Sequence, residues 1–127
     1  MAEPTDVIVV DDETDFAEFV ATVAAGLGFA VRIAGSGAAL RALYRERRPD
    51  LVVLDIVMPD EDGIEIARWL QEEGYDGGLI LISGHNPLYL KMAAVLRKVA
   101  GKSPPAVLRK PVRLAELREA LLEHAGR

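Results

Sequence analysis

Two hydrophobic patterns alternate along the chain. Short runs rich in β-branched residues are followed by longer segments in which apolar residues recur every three or four positions. The alternation repeats five times, so each run predicts a strand and each longer segment a helix. The predicted strands are 7–10, 29–34, 51–54, 79–82 and 106–108, and the predicted helices are 14–28, 36–48, 62–73, 87–101 and 113–125.

Four of the predicted strands are apolar at successive positions rather than at alternate ones. Such strands are typical of a parallel sheet that is covered by helices on both faces. The second run contains Arg32, which indicates an edge strand. The alternating order of strands and helices therefore predicts an α/β fold: a flavodoxin-like, doubly wound, five-stranded parallel sheet in the order 2-1-3-4-5 with five helices.

Polar residues and glycines mark the ends of the predicted helices. Either Asp12 or Thr14 is expected to cap the first helix, and Ser36 the second, because short polar side chains accept hydrogen bonds from the free N–H groups of a first turn. Gly26 and Gly28 are expected to end the first helix.

Composition narrows the class of protein. The 127 residues predict a single domain, 1–127, and half of them are apolar. The absence of cysteine excludes disulfides and thiolate metal sites and favours a cytoplasmic location. No run approaches the roughly 18 apolar residues that a membrane span requires. The net charge of −5 has the wrong sign for direct binding to nucleic acid or to an anionic membrane.

Polar residues that could carry chemistry stand at the carboxyl ends of four predicted strands. Asp11 and Asp12 follow the first strand, Asp55 the third, Ser83 the fourth and Lys110 the fifth. Ligands of open parallel sheets bind at this edge, where the strand order reverses. Each residue alone could be a helix cap or a solvated charge, but their coincidence at four strand ends favours one functional site.

The three aspartates are expected to repel one another. Two like charges about 4 Å apart cost on the order of 4 kcal/mol at an effective dielectric of about 20. Mg²⁺ would relieve this repulsion, because it prefers oxygen ligands and retains several waters; the alternatives are a protonated aspartate or pairing with Lys110. With the charge neutralised, Asp55 could attack phosphorus as a nucleophile while Ser83 and Lys110 contact the phosphoryl oxygens.

The chain resembles the receiver domain of response regulators in two-component signal transduction, of the single-domain type. Four pieces carry the resemblance, in the family's order: Asp11-Asp12, LVVLDIVMPDEDG at 51–63, LILISG at 79–84 and LRKP at 108–111. The resemblance implies that Asp55 is phosphorylated by a histidine kinase or a histidine phosphotransfer protein in a phosphorelay. Ser83 and Lys110 would be the other catalytic residues.

The resemblance also implies a Mg²⁺ site. Its ligands would be Asp12, Asp55 and the backbone carbonyl of Val57, with Asp11 acting on the metal through water. Pro59 and Gly63 would shape the loop behind Asp55. The protein would not be an enzyme beyond its own Mg²⁺-dependent phosphorylation and dephosphorylation.

Output is expected to pass to a downstream protein through a changed surface on the fourth helix, fifth strand and fifth helix, where a homodimer could also form. Because the chain stops at Arg127, just after the last predicted helix, we expect no effector domain. The peptide between Lys110 and Pro111 resembles the family's cis bond. Two features depart from the family: Val107 replaces an aromatic residue, and the segment 83–110 is longer than usual.

The sequence supports one of three alternative functions and disfavours the other two. A pseudo-receiver that binds partners without phosphorylation is supported by Val107. An aspartyl phosphatase is disfavoured, because it needs a second acid two residues after its nucleophile and Val57 occupies that position. A flavodoxin would bind an anionic phosphate with its first loop, where Asp11, Asp12 and Glu13 would repel it.

Overall fold

The computed structural model describes residues 3–56, 58, 63–84 and 105–125. Its elements follow the predicted alternation, and the predicted helix at 87–101 lies outside the described residues. In chain order they are β1 (Asp6–Val10), α1 (Thr14–Gly26), β2 (Ala30–Ala34), α2 (Gly37–Glu46), β3 (Leu51–Asp55), α3 (Gly63–Glu72), β4 (Gly78–Ser83), β5 (Ala106–Arg109) and α4 (Leu114–His124).

The five strands form one sheet in the order β2-β1-β3-β4-β5, and all neighbours are parallel. This is the predicted topology, with four helices among the described residues. Every residue of β1 and β3 is buried, as their uninterrupted apolar runs predict. The strand order reverses at β1, so the crevice beyond β1 and β3 is the edge at which this fold binds ligands.

Helices cover both faces of the sheet, and the strand residues alternate between two hydrophobic cores. One core packs strand residues against α2 and α3, and the other packs them against α1 and α4. The first contains Ile8, Val10, Val52, Leu54, Leu79 and Leu81; the second contains Val7, Val9, Leu51, Val53, Ile80 and Ile82.

The helix ends agree with the sequence in two places and differ in one. Ser36 caps α2 by accepting a hydrogen bond from the Ala39 N–H at 3.1 Å, and α1 ends at Gly26. The prediction that Asp12 or Thr14 caps α1 is wrong, because Glu13 occupies the N-cap position, and the Glu13 side chain makes no capping hydrogen bond. The backbone turns tightly here, with the Glu13 N–H donating to Asp11 Oδ1 at 2.8 Å, so the helix begins only at Thr14.

The contacts of Arg32 explain why β2 tolerates a charged residue. β2 is an edge strand, as predicted, and the Arg32 guanidinium donates to the buried Asp6 carboxylate at 3.1 and 3.2 Å. It also donates to the backbone carbonyls of Leu43 and Arg47, at 2.8 and 2.9 Å. The Arg47 guanidinium pairs with the same carboxylate. One buried acid thus fastens β1 and β2 to the end of α2.

We expect Asp6→Asn to lower the free energy of unfolding by about 2–4 kcal/mol, because it leaves the largely buried Arg32 guanidinium without a counter-charge. Urea denaturation measures the loss. Glu65→Gln is the matched control, since it removes an exposed acid that pairs with Arg68 at 3.7 Å, and we expect it to change stability by less than about 1 kcal/mol. Equal effects of the two substitutions would contradict the assignment.

Candidate functional site

The predicted site residues that the structure describes lie together at the carboxyl edge of the sheet. Asp11 directly follows β1, Asp55 is the last residue of β3 and Ser83 is the last residue of β4. These three side chains are buried, whereas Asp12 is exposed. Lys110 follows β5, and its N–H donates to the Ser83 carbonyl at 2.9 Å, which extends the β4–β5 pairing by one residue.

Three carboxylates form the acidic part of the site. Asp11, Asp12 and Asp55 each place one oxygen within 4.8 Å of the others. Burial raises the pKa of Asp11 from 3.8 to about 6, and the charge of Asp55 adds to the rise, while the Glu13 N–H and Lys110 oppose it. The folded chain therefore holds these charges together at a cost.

The arrangement fits a hard divalent cation. Asp11 Oδ2 is buried and has no hydrogen-bond partner among the residues that the structure describes, where its nearest cation, the Lys110 ammonium, is 3.6 Å away. Mg²⁺ prefers oxygen ligands such as carboxylates. A bound cation would also give the buried Asp11 Oδ2 a partner. Asp11, Asp12 and Asp55 are the residues that would hold the ion. The predicted fourth contributor, the Val57 carbonyl, lies outside the described residues.

Lys110 supplies the positive charge of the site. Its ammonium lies 2.6 Å from Glu13 Oε1, 3.4 Å from Asp55 Oδ2 and 3.6 Å from Asp11 Oδ2. Burial alone would lower the pKa of Lys110, but the hydrogen bond to Glu13 and the nearby carboxylates raise it above its ordinary value. Lys110 is therefore a permanent cation at neutral pH. The Lys110–Pro111 peptide is cis, as the resemblance implied.

The backbone beyond Asp55 is fixed from two sides. The Ile56 N–H donates to the Ile82 carbonyl at 2.9 Å, and the Ile56 carbonyl accepts from the Gly63 N–H at 2.8 Å. A Cβ atom at Gly63 would lie 2.6 Å from Ile56 Cα, closer than real Cβ contacts permit. Only glycine allows the start of α3 to approach Ile56 this closely, so Gly63 helps to fix the backbone directly after Asp55.

Two residues of the site were missed by sequence reasoning. Glu13 is the nearest partner of Lys110, and the Phe16 ring centroid lies 4.5 Å from the Lys110 ammonium. The chain did carry a signal, because residues three apart at a helix start share one face, here the face beside the strand ends. In the sequence Glu13 is only an additional acid beside Asp11 and Asp12, and the hydrophobic pattern does not distinguish Phe16 from a core residue of α1.

The predicted output surface is described in part. Val107, which stands where the family has an aromatic residue, lies on the edge strand β5 and is 43 % exposed. Leu114 and Leu122 of α4 are also exposed. The predicted fourth helix of this surface lies outside the described residues. Among the helices that the structure describes, none is both long and apolar enough to cross a membrane.

Comparison with known proteins identifies relatives along almost the whole chain. The sequence profile described as "response regulator receiver domain" matches residues 7–122. The response regulator MprA of Mycobacterium sp. (strain KMS) is 33 % identical over 116 residues, which is 90 % of this chain and 47 % of that protein. The probable transcriptional regulatory protein TcrX of Mycobacterium tuberculosis is 32 % identical over 93 residues, 73 % of this chain and 40 % of TcrX.

A solved structure supports the same grouping. The receiver domain of NtrX from Brucella abortus superimposes with a TM-score of 0.79 at 26 % identity, covering 94 % of this chain and 98 % of that one. The chain spans less than half the length of the two mycobacterial relatives. Activities of those whole proteins therefore do not transfer to it directly.

Asp11 is expected to make stability depend on pH. The pKa of Asp11 is raised from 3.8 to about 6 in the folded protein, so folding favours its protonated form. The contribution of Asp11 to stability is therefore fully present below about pH 4 and is lost as pH rises through about 6. Asp11→Asn removes that charge, so it should stabilise the metal-free protein by about 1–3 kcal/mol at pH 8 and by much less at pH 4. Urea titrations in a chelator at the two pH values measure the difference. A gain in the free energy of unfolding that does not depend on pH would contradict the assignment. Asp76→Asn, which removes an exposed acid, is the control.

Gly63→Ala is expected to destabilise the protein by about 1–3 kcal/mol, because the added methyl group collides with the Ile56 backbone. Gly35→Ala is the matched control, since a Cβ there meets nothing within 4 Å. Thermal or urea unfolding of the two variants decides the point. Equal stability of both variants would show that the close approach at Ile56 is not required.

Proposed function

Because the chain belongs to the response regulator receiver domain family of two-component systems, we propose that it accepts a phosphoryl group on Asp55. One observation carries the proposal: the Asp55 carboxylate, 4 % exposed at the end of β3, lies beside two other aspartates and within 3.4 Å of a permanent cation. A rigid, anionic nucleophile with charge-neutralising groups around it is what phosphoryl transfer requires.

The donor in this proposal is a phosphohistidine of a histidine kinase or a histidine phosphotransfer protein. An Asp55 carboxylate oxygen forms a bond to phosphorus, the phosphorus–nitrogen bond breaks, and the histidine nitrogen leaves with the bonding electron pair. Mg²⁺ held by the aspartates would neutralise charge on the phosphoryl oxygens. Lys110 pairs with one phosphoryl oxygen, and the Ser83 hydroxyl donates a hydrogen bond to another.

Lys110 and Ser83 would also transmit the change. The Lys110 N–H is already bonded to the Ser83 carbonyl, so a shift of either strand end moves the other. Phosphorylation adds about two negative charges, which can change the structure only through contacts that differ between the two states. We place the output on the surface that includes β5 and α4, with a downstream protein or a second copy of the chain as its partner. Turnover of an external substrate is not part of the proposal.

The pseudo-receiver remains the second candidate, and Val107 is the observation that favours it. An exposed valine on β5 cannot move between a buried and an exposed position as an aromatic ring can. The two candidates differ in one measurable property. A pseudo-receiver binds its partner equally well with and without phosphorylation of Asp55, whereas a switching receiver shows a difference.

We expect one phosphoryl group to be added when the protein is incubated with acetyl phosphate and Mg²⁺, and none when a chelator replaces Mg²⁺. Intact-mass spectrometry measures the addition. Asp55→Ala should abolish it, because the nucleophile is gone, whereas the exposed Asp76→Ala should be labelled like the wild type. Labelling that persists in Asp55→Ala would refute the assignment of the phosphorylated residue.

A further inference from the structure

Lys110 makes its shortest contact with a residue that phosphoryl transfer does not require. Its ammonium lies 2.6 Å from Glu13 Oε1 but 3.4 Å from Asp55 Oδ2. Glu13 is 63 % exposed, whereas the Asp55 side chain is 5 % exposed. In the unphosphorylated protein the ammonium is thus drawn toward the outer rim of the site.

The backbone of Glu13 is fixed in the position that makes this contact. Its N–H donates to Asp11 Oδ1 at 2.8 Å, and its carbonyl accepts from the Ala17 N–H at 3.0 Å. Glu13 occupies the N-cap position of α1, yet its side chain caps no N–H group. The carboxylate is therefore directed to Lys110 and has no competing structural contact with the helix start.

Phe16 makes a second contact with the Lys110 ammonium. Its ring centroid lies 4.5 Å from the Lys110 ammonium, a distance that gives a favourable cation–π contact. Glu13 is the N-cap residue of α1 and Phe16 lies in its first turn, so both contacts of the ammonium come from the start of this helix. Together they form a holding position for the ammonium, separate from its contact with Asp55.

We propose that Glu13 is a positioning residue that competes with the phosphoryl group for the Lys110 ammonium. The inference rests on the proposed function. A phosphoryl group on Asp55 needs Lys110 as its partner, so the Glu13 pair must weaken during transfer. Glu13 therefore slows phosphorylation, and the contact favours the unphosphorylated state. An exposed ion pair of this kind corresponds to a rate effect of about two- to fivefold.

Glu13→Gln is the direct test, because glutamine keeps the size of the side chain and removes its charge. The rate constant for phosphorylation by subsaturating acetyl phosphate with Mg²⁺ should rise about two- to fivefold. Asp15→Asn is the matched control. Asp15 is an exposed acid two residues away that lines one surface groove together with Glu13 and Lys110, and no ion pair joins it to Lys110 within the described part of the chain. It therefore reports the effect of net charge on an anionic donor.

A second readout needs neither metal nor phosphate. An amine paired with a carboxylate stays protonated and reacts slowly with an acylating reagent. In a chelator, Lys110 should be acetylated by acetic anhydride faster in Glu13→Gln than in the wild type or in Asp15→Asn. Peptide mass mapping measures the rate at Lys110, with the other lysines as internal references.

The outcomes separate the two proposals. If wild type is labelled on Asp55 but Glu13→Gln and Asp15→Asn are phosphorylated at the same rate, the competition by Glu13 is refuted and the proposed function stands. If Lys110 is acetylated equally fast in all three proteins, Asp11 and Asp55 alone keep it protonated, and the holding contact with Glu13 is refuted. If wild type takes up no phosphoryl group at all, the proposed function fails and the competition fails with it.

Discussion

The site depends on a charge imbalance that the topology of the sheet creates. β1 and β3 are parallel neighbours, so their carboxyl ends meet and bring Asp11 and Asp55 together in a buried position. Asp12 adds a third carboxylate, and the Lys110 ammonium is shared among Asp11, Asp55 and Glu13. Within the described part of the chain, the single positive charge of Lys110 is smaller than the combined negative charge of these acids. The raised pKa of Asp11 and its unsatisfied oxygen are two signs of the same deficit.

The opposite end of the sheet shows how the same fold treats a buried acid that has only a structural role. Asp6 lies near the start of β1, and its carboxylate is matched by the guanidinium groups of Arg32 and Arg47. Both ends of β1 therefore carry a buried aspartate, and among the described residues the one at the carboxyl end is the less fully neutralised of the two. Because a buried charge without a full counter-charge is costly, its presence at the ligand-binding edge is the strongest structural argument for function there.

Sequence patterns predicted the scaffold well because burial acts on single residues. Uninterrupted β-branched runs identified the central strands, and Arg32 identified an edge. Once the strand order was known, the positions of Asp11, Asp55, Ser83 and Lys110 followed from chain order alone. The contacts among side chains did not follow. The Glu13–Lys110 pair joins residues 97 positions apart, and no local pattern indicates which of several acids an ammonium will select.

The cap of α1 illustrates why this limit is physical. Propensity favours Asp12 or Thr14 at that position, since each could cap the first turn. In the folded chain Asp12 lies beside the other two aspartates, and Asp11 takes the Glu13 N–H. A local preference worth about 1 kcal/mol was overridden by the geometry that assembles the site. The uncapped start of α1 leaves the Glu13 carboxylate available to Lys110, and this coupling links the fold to the proposed chemistry.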